Sequence, residues 1–371
     1  MSKFWSSTPR PETSRRYHIS EVIDSEMLGD EYKQPIHIVC DIDKTYIETK
    51  FETAMSMLKI AFEEAEEKIA VTGAALALMA ARWSDPFEVG SEKRADVPRP
   101  LHFLSASPPQ LRRVIREKLA RDGLDWTTDT FKNQAYNIRM GRLKLLKQHV
   151  AYKTATILSH VARSKPGARF ILIGDNAELD AFIYVGVQLY LAGNLNQAQY
   201  RDYLSSGGVD QDVMETLEPY FAQRLPEAQV SGILIRKAPG YKLIQAPPLT
   251  DLVIPFDHYF EVALHFYAWD LIAERSLWPL TRQLHNVYGF QREELLVCLR
   301  ACERRFSEMG RSVHTLQECQ QKLLKGPPMA DWPERPQLRP GYRLEQLHMP
   351  ADRILNEAHN WVQAIARRSH H

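Results

Sequence analysis

The stretch "HIVCDIDKTYIE", residues 37–48, ends an apolar run on two carboxylates, Asp41 and Asp43, with Lys44 and Thr45 directly after them. Side chains two apart on a strand share a face, so both acids can converge just beyond the strand end. Two carboxylates held together repel unless a cation or a shared proton joins them. Mg²⁺ answers that need, because it takes hard oxygen ligands, keeps several waters, and binds through one or two carboxylates together with substrate phosphate. A carboxylate can also accept a phosphoryl group covalently, and a second one can give and take the accompanying proton. An acid pair alone is common in surface turns, so other parts of the chain must complete such a site.

Candidates for completing it follow in order. "LHFLSASP" is a second strand-like run and carries Ser105 to its end. Lys153 opens the helical "YKTATILSHVARSKPGAR", and "FILIGDNAELD" is a third buried-type strand that leads to Asp175 and Asp180. "PIHIVCDID" supplies the first strand and "VSGILIR" a later one, while "TGAALALMAARW" and "PQLRRVIREKLARDG" read as helices, the latter closing on Gly123. Strands alternating with helices predict βαβ units and an α/β fold, a Rossmann-like doubly wound parallel sheet. Ligands bind such sheets at the carboxyl ends of the strands, where these acids and Ser105 fall.

Around that sheet the chain divides by composition. Residues 1–33 read as a polar N-terminal arm and 34–240 as the α/β catalytic domain, with a helical insertion from about Asn194 to Arg224. Residues 250–325 form a helical C-terminal region, in which a helical pattern runs from Ile254 to about Leu324. Six prolines between Gly326 and Pro350 mark an extended connector, and a last helix spans about Asp352 to Arg368, completing the 326–371 segment. A net charge of +1 gives no overall pull toward nucleic acid, and none is expected as a partner. Four cysteines are too few for a disulfide framework and suggest a reducing compartment, hence a cytoplasmic location. The N-terminal "MSKFWSSTPRPETSRRYHIS" lacks the apolar core of a signal peptide, and the most apolar window, Ile69 to Trp83, is too short to span a bilayer.

Together "DIDKT", "FLSAS", Lys153 and "IGDNAELD" resemble, in order and setting, the four motifs of the haloacid dehalogenase superfamily, whose phosphatase members use an aspartyl-phosphate intermediate. More narrowly, "HFLSASPPQL", "YKTATIL" and "FILIGDNAELDAFIY", closed by "GILIR", look like the phosphatidate phosphatase catalytic domain of the yeast actin-patch type, over roughly residues 36–237. The resemblance implies Asp41 as nucleophile and Asp43 as acid and base. It implies one Mg²⁺ held by Asp41, the main-chain carbonyl of Asp43 and Asp175, with Asp180 supporting the metal shell or positioning Lys153. Ser105 would bond a phosphoryl oxygen, Lys153 would offset transition-state charge, and Thr45 would brace the loop.

"DKT" is also similar to the P-type ATPase phosphorylation motif, which would make Asp43 the nucleophile. The lack of membrane spans opposes that register, and Asp43 itself opposes dehalogenation at carbon, which needs no acid there. Lys44 departs from the Gly or Asp usual between Asp43 and Thr45, and would compete with the metal if it turned inward. The resemblance implies an Mg²⁺-dependent phosphomonoester phosphatase acting on phosphatidate or a related lipid phosphate, with peripheral contact to a membrane. A phosphatase for a small soluble phosphoester and a non-catalytic interaction module on the same scaffold stay open as alternatives. Two weaker signals stand beside these. The acid-free run from Phe131 to Lys153 is either a rim that attracts an anionic headgroup or a solvated basic helix, and "FDHYFEVALHFYAWD" reads as an aromatic helix packed into a core.

Overall fold

The computed structural model describes residues 21–23, 31–48, 69–84, 98–107, 111–131, 149–221, 227–272, 277, 280–281, 284–285, 289–308 and 349–368. Its strands are β1 Glu21–Ile23, β2 Ile36–Asp41, β3 Leu101–Ser105, β4 Thr128–Phe131, β5 Arg169–Asp175, β6 Gln229–Arg236 and β7 Ile254–Phe256. They form one sheet in the order β1-β4-β3-β2-β5-β6-β7. All neighbours are parallel except β1 and β4. The chain builds outward from β2 through β3 and β4, then returns to the other side of β2 for β5, β6 and β7. That reversal leaves a crevice beyond the carboxyl end of β2.

Nine helices of the described residues accompany the sheet: α1 Ala74–Trp83, α2 Arg112–Arg121, α3 His149–Arg163, α4 Asp180–Leu191, α5 Gln197–Ser206, α6 Gln211–Phe221, α7 Tyr259–Ala268, α8 Arg292–Glu308 and α9 Ala351–Arg368. Every residue of β2 is buried, as expected for a strand covered on both faces. Alternate side chains enter opposite cores. Ile36, Ile38 and Cys40 share one with Leu78 of α1, Ile115 of α2 and Tyr259 of α7. Val39 shares the other with Ile157 of α3, Phe182 of α4 and Trp361 of α9. By the same alternation Asp41 leaves β2 on the α3 side.

The α/β fold with a parallel sheet and a helical C-terminal end agrees with the sequence expectation, and three short strands correct its details. Glu21–Ile23, inside the segment expected to be a polar arm, pairs antiparallel with β4 at the sheet edge. β4 itself went unpredicted because its "TDTF" is mostly polar, although it is wholly buried. Its Asp129 is satisfied by Arg116, Arg112 and Trp126 Nε1. Finally, the region from Ile254 onward is not helical throughout, since β7 extends the sheet beside β6. Three-residue strands are too short to display a period, and Pro255 is tolerated in β7 because the strand lies at the edge. The insertion from Asn194 to Arg224 holds α5 and α6. The first starts at a capping box in which Asn196 accepts from Gln199 N–H and the Gln199 side chain accepts from Asn196 N–H. The aromatic helix α7 is a core element as expected, and Cys298 on α8 is buried beside Leu295 and Leu299. Lys132, Arg139, Arg142, Lys144 and Lys147 of the basic run lie outside the described residues.

Candidate functional site

Asp41 closes β2, Ser105 closes β3 and Asp175 closes β5, so three adjacent strands deliver their last side chains to the crevice. Lys153 enters from α3. It does not open that helix, which is already helical at His149, but lies a turn further along it. Its ammonium is fully buried, 2.8 Å from Asp41 Oδ1, 2.5 Å from Asp180 Oδ1 and 3.2 Å from Glu178 Oε2. Burial alone would favour the neutral amine, but Asp180, Asp41 and Glu178 outweigh it and hold the lysine pKa well above its usual range. Thr45 Oγ1 lies 3.3 Å from Asp41 Oδ2 and 3.4 Å from Asp175 Oδ2, bridging the ends of β2 and β5.

Asp175 is tied down by the turn that follows it, its Oδ1 accepting from the N–H groups of Ala177 at 2.5 Å and Glu178 at 3.3 Å. Asp180, the first residue of α4, folds back onto β5 and accepts from Asp175 N–H at 3.2 Å. Gly174 makes this approach possible. A Cβ there would meet Asp180 Oδ2 at 2.4 Å and Asp180 Cβ at 2.7 Å.

Oxygens of Asp41, Asp175 and Asp180 lie within 4.8 Å of one another. Together with Glu178 these acids surround one lysine, so the cluster carries surplus negative charge when ionised. Burial pushes the Asp41, Asp175 and Asp180 carboxyls up, Asp175 to about 7. Hard oxygen donors with unbalanced charge fit a divalent cation, which would let the carboxyls release their protons.

Asp43 does not join that group. Its carboxylate is turned toward β3, accepting from Ser105 Oγ at 2.8 Å and from Ser107 Oγ at 3.0 and 3.2 Å. Ser107 N–H donates to Ser105 Oγ at 3.1 Å, which fixes that hydroxyl. Burial raises the Asp43 pKa, and the serine hydroxyls pull against the rise. Ser105, expected to face a phosphoryl oxygen, is thus directed at Asp43.

Lys44 does not enter the acid cluster. Its backbone is left-handed at φ 57°, and Nζ donates to Tyr241 Oη at 3.1 Å while lying 4.7 Å from the centre of that ring. Sequence reasoning missed Ser107, Glu178, His149 and Tyr241. Ser107 was legible two residues after Ser105, and Glu178 lies between two expected site acids. Tyr241 carries no local signal. His149, 3.4 Å from Glu178 Oε2, joins only through the helix that also carries Lys153.

The match to known families fits this arrangement. Residues 36–202 match the family described as "Phosphatidate phosphatase APP1, catalytic domain". No curated protein and no solved structure matches the chain. The family match runs from β2 into α5 and therefore contains Asp41, Asp43, Ser105, Lys153, Asp175 and Asp180. Residues 36–202 are accordingly a phosphatidate-phosphatase-like catalytic domain of the haloacid dehalogenase type, and the chain is a phosphoric monoester hydrolase.

Proposed function

We propose that the protein hydrolyses phosphatidate or a related lipid phosphate, with Mg²⁺, through an aspartyl-phosphate on Asp41. The observation that carries this is the pairing of Asp41 with Lys153 while Asp43, two residues on, is housed separately on Ser105 and Ser107. One carboxylate is paired with a cation and suited to attack. The other lies where burial favours its protonated form.

Asp41 attacks phosphorus, and the phosphorus–oxygen bond to the alcohol breaks as the acyl phosphate forms. Asp43 gives its proton to the departing alkoxide. As a carboxylate it then takes a proton from the water that attacks phosphorus, releasing phosphate and restoring Asp41. Lys153 offsets charge gathering on the phosphoryl oxygens, while Asp180 holds Lys153 and the Asp175 N–H in place. Asp41, Asp175 and the main-chain carbonyl of Asp43 would hold Mg²⁺, which supplies positive charge opposite the transferring phosphoryl group. Ser105 and Ser107 keep Asp43 aimed, and Thr45 braces Asp41 against Asp175.

The family description supports the lipid assignment. Among the described residues no helix is long and apolar enough to cross a membrane, so a lipid substrate would be met at a bilayer surface. A cytoplasmic location with peripheral membrane contact fits that encounter. The test is Mg²⁺-dependent phosphate release from dioleoyl phosphatidate vesicles, lysophosphatidate, sugar phosphates and nucleotides, comparing wild type with Asp41→Asn. Turnover on the lipids that Asp41→Asn abolishes supports the assignment. Preference for a soluble ester overturns the substrate, and turnover unchanged by Asp41→Asn overturns the mechanism.

A further inference from the structure

Lys44 adopts a left-handed backbone, φ 57°, directly after Asp43 and three residues after Asp41. For a residue with a side chain this conformation is costly, because Cβ crowds the following carbonyl, and it persists only where the surroundings enforce it. Two residues of the segment that begins with β6 do so. Arg236 Nη1 donates to the Lys44 carbonyl at 2.7 Å, while its Nη2 reaches Glu48 Oε1 at 2.8 Å. Tyr241 accepts from Lys44 Nζ at 3.1 Å. A third contact follows from α7, where the buried Tyr259 hydroxyl donates to the Thr45 carbonyl at 3.1 Å. Arg236 is itself buried at 5 % exposure, and the Asn176 side chain after β5 fixes the Tyr241 strand-exit loop by donating to the Tyr241 carbonyl and accepting from Ala238 N–H.

We infer that Arg236 and Tyr241 are positioning residues for the loop that carries Asp41 and Asp43. They clamp Lys44, at its carbonyl and at its ammonium, in a turn that a glycine would adopt freely. All three bracing residues lie beyond residue 202, where the family match ends. The matched domain is therefore completed by the chain that follows it, and Lys44 is tolerated here because its side chain supplies its own anchor.

This inference rests on the phosphatase reading only for its turnover arm. The test is a double-mutant cycle on the full chain with Tyr241→Phe and Lys44→Gly, followed by kcat, KM and hydrogen exchange of the peptide covering residues 41–48. Tyr241→Phe is expected to lower kcat about fivefold with KM within twofold, and to speed loop exchange by a similar factor, in line with one lost hydrogen bond. In the Lys44→Gly background the same change should alter either quantity by less than twofold, because no ammonium is left to anchor. Arg236→Met should slow turnover and speed exchange in both backgrounds, since the residue 44 carbonyl remains. A Tyr241→Phe penalty of equal size in both backgrounds, or one confined to KM, would overturn the clamp in favour of ordinary packing or substrate contact. If no variant or wild type turns over any phosphoester, the phosphatase reading fails while the exchange data still decide the clamp.

Discussion

Gly174→Ala isolates the packing that holds the acid cluster together. The added Cβ would lie 2.7 Å from Asp180 Cβ, 2.4 Å from Asp180 Oδ2 and 2.8 Å from Tyr184 Cε2, against an ordinary contact of 3.4 Å or more. Relief of the Cβ contact alone requires a shift of about 0.7 Å, from 2.7 to 3.4 Å. Asp180 cannot turn aside freely, because its Oδ1 lies 2.5 Å from Lys153 Nζ and its Oδ2 accepts from Asp175 N–H. The start of α4 must therefore move away from β5. Overpacking of this kind costs about 1–3 kcal/mol, and a displacement near 1 Å at a positioned group costs roughly a hundredfold in rate. Thermal denaturation should show a Tm lowered by about 2 °C or more, and phosphate release should fall at least tenfold with Mg²⁺ saturating. A variant with unchanged Tm and turnover would refute the reasoning, since Asp180 would then have room that the geometry denies it.

Lys153→Met removes the ammonium shared by Asp41, Asp180 and Glu178. Leaving buried carboxylates without a partner should cost about 3–5 kcal/mol by denaturant titration and abolish turnover, and lowering the pH should recover part of the stability as those acids protonate. Ser107→Ala takes one hydroxyl from Asp43, removing a bond that favours the carboxylate. The Asp43 pKa then rises, the protonated acid survives to higher pH, and the alkaline limb of the kcat profile should move upward. At the opposite end of the sheet, His37 and His160 are pushed down to about 3, first by burial, with repulsion from His160 adding at His37 and from Arg163 at His160. Their folded pKa lies below the unfolded value near 6.5, so the unfolded chain binds more protons between pH 6.5 and 3 and stability falls as pH drops through that window. Each contributes up to about 1.4 kcal/mol per pH unit, and urea titrations should give a shallower pH slope for His37→Phe than for wild type.

The amino-acid order alone determined the alternation of strands and helices, the family resemblance and the identity of the acids. These signals are local. A strand buried on both faces writes an unbroken apolar run, as Ile36 to Cys40 does, and its end is marked by the first carboxylates. Strand alternation sets Asp41 on the face opposite Cys40, and only the fold brings Lys153 of α3 to that face. Only the tertiary structure decided which way the remaining side chains turn. Asp43 faces Ser105 and Ser107 across the gap between β2 and β3, and Lys44 leaves the acids for Tyr241, 197 residues away in sequence. The bracing by Arg236 and Tyr259 depends likewise on strand order, which places the end of β6 and the start of α7 beside the turn after β2. Three-residue edge strands and contacts of this separation leave no period or spacing in the sequence, because the partner that stabilises them comes from elsewhere in the fold.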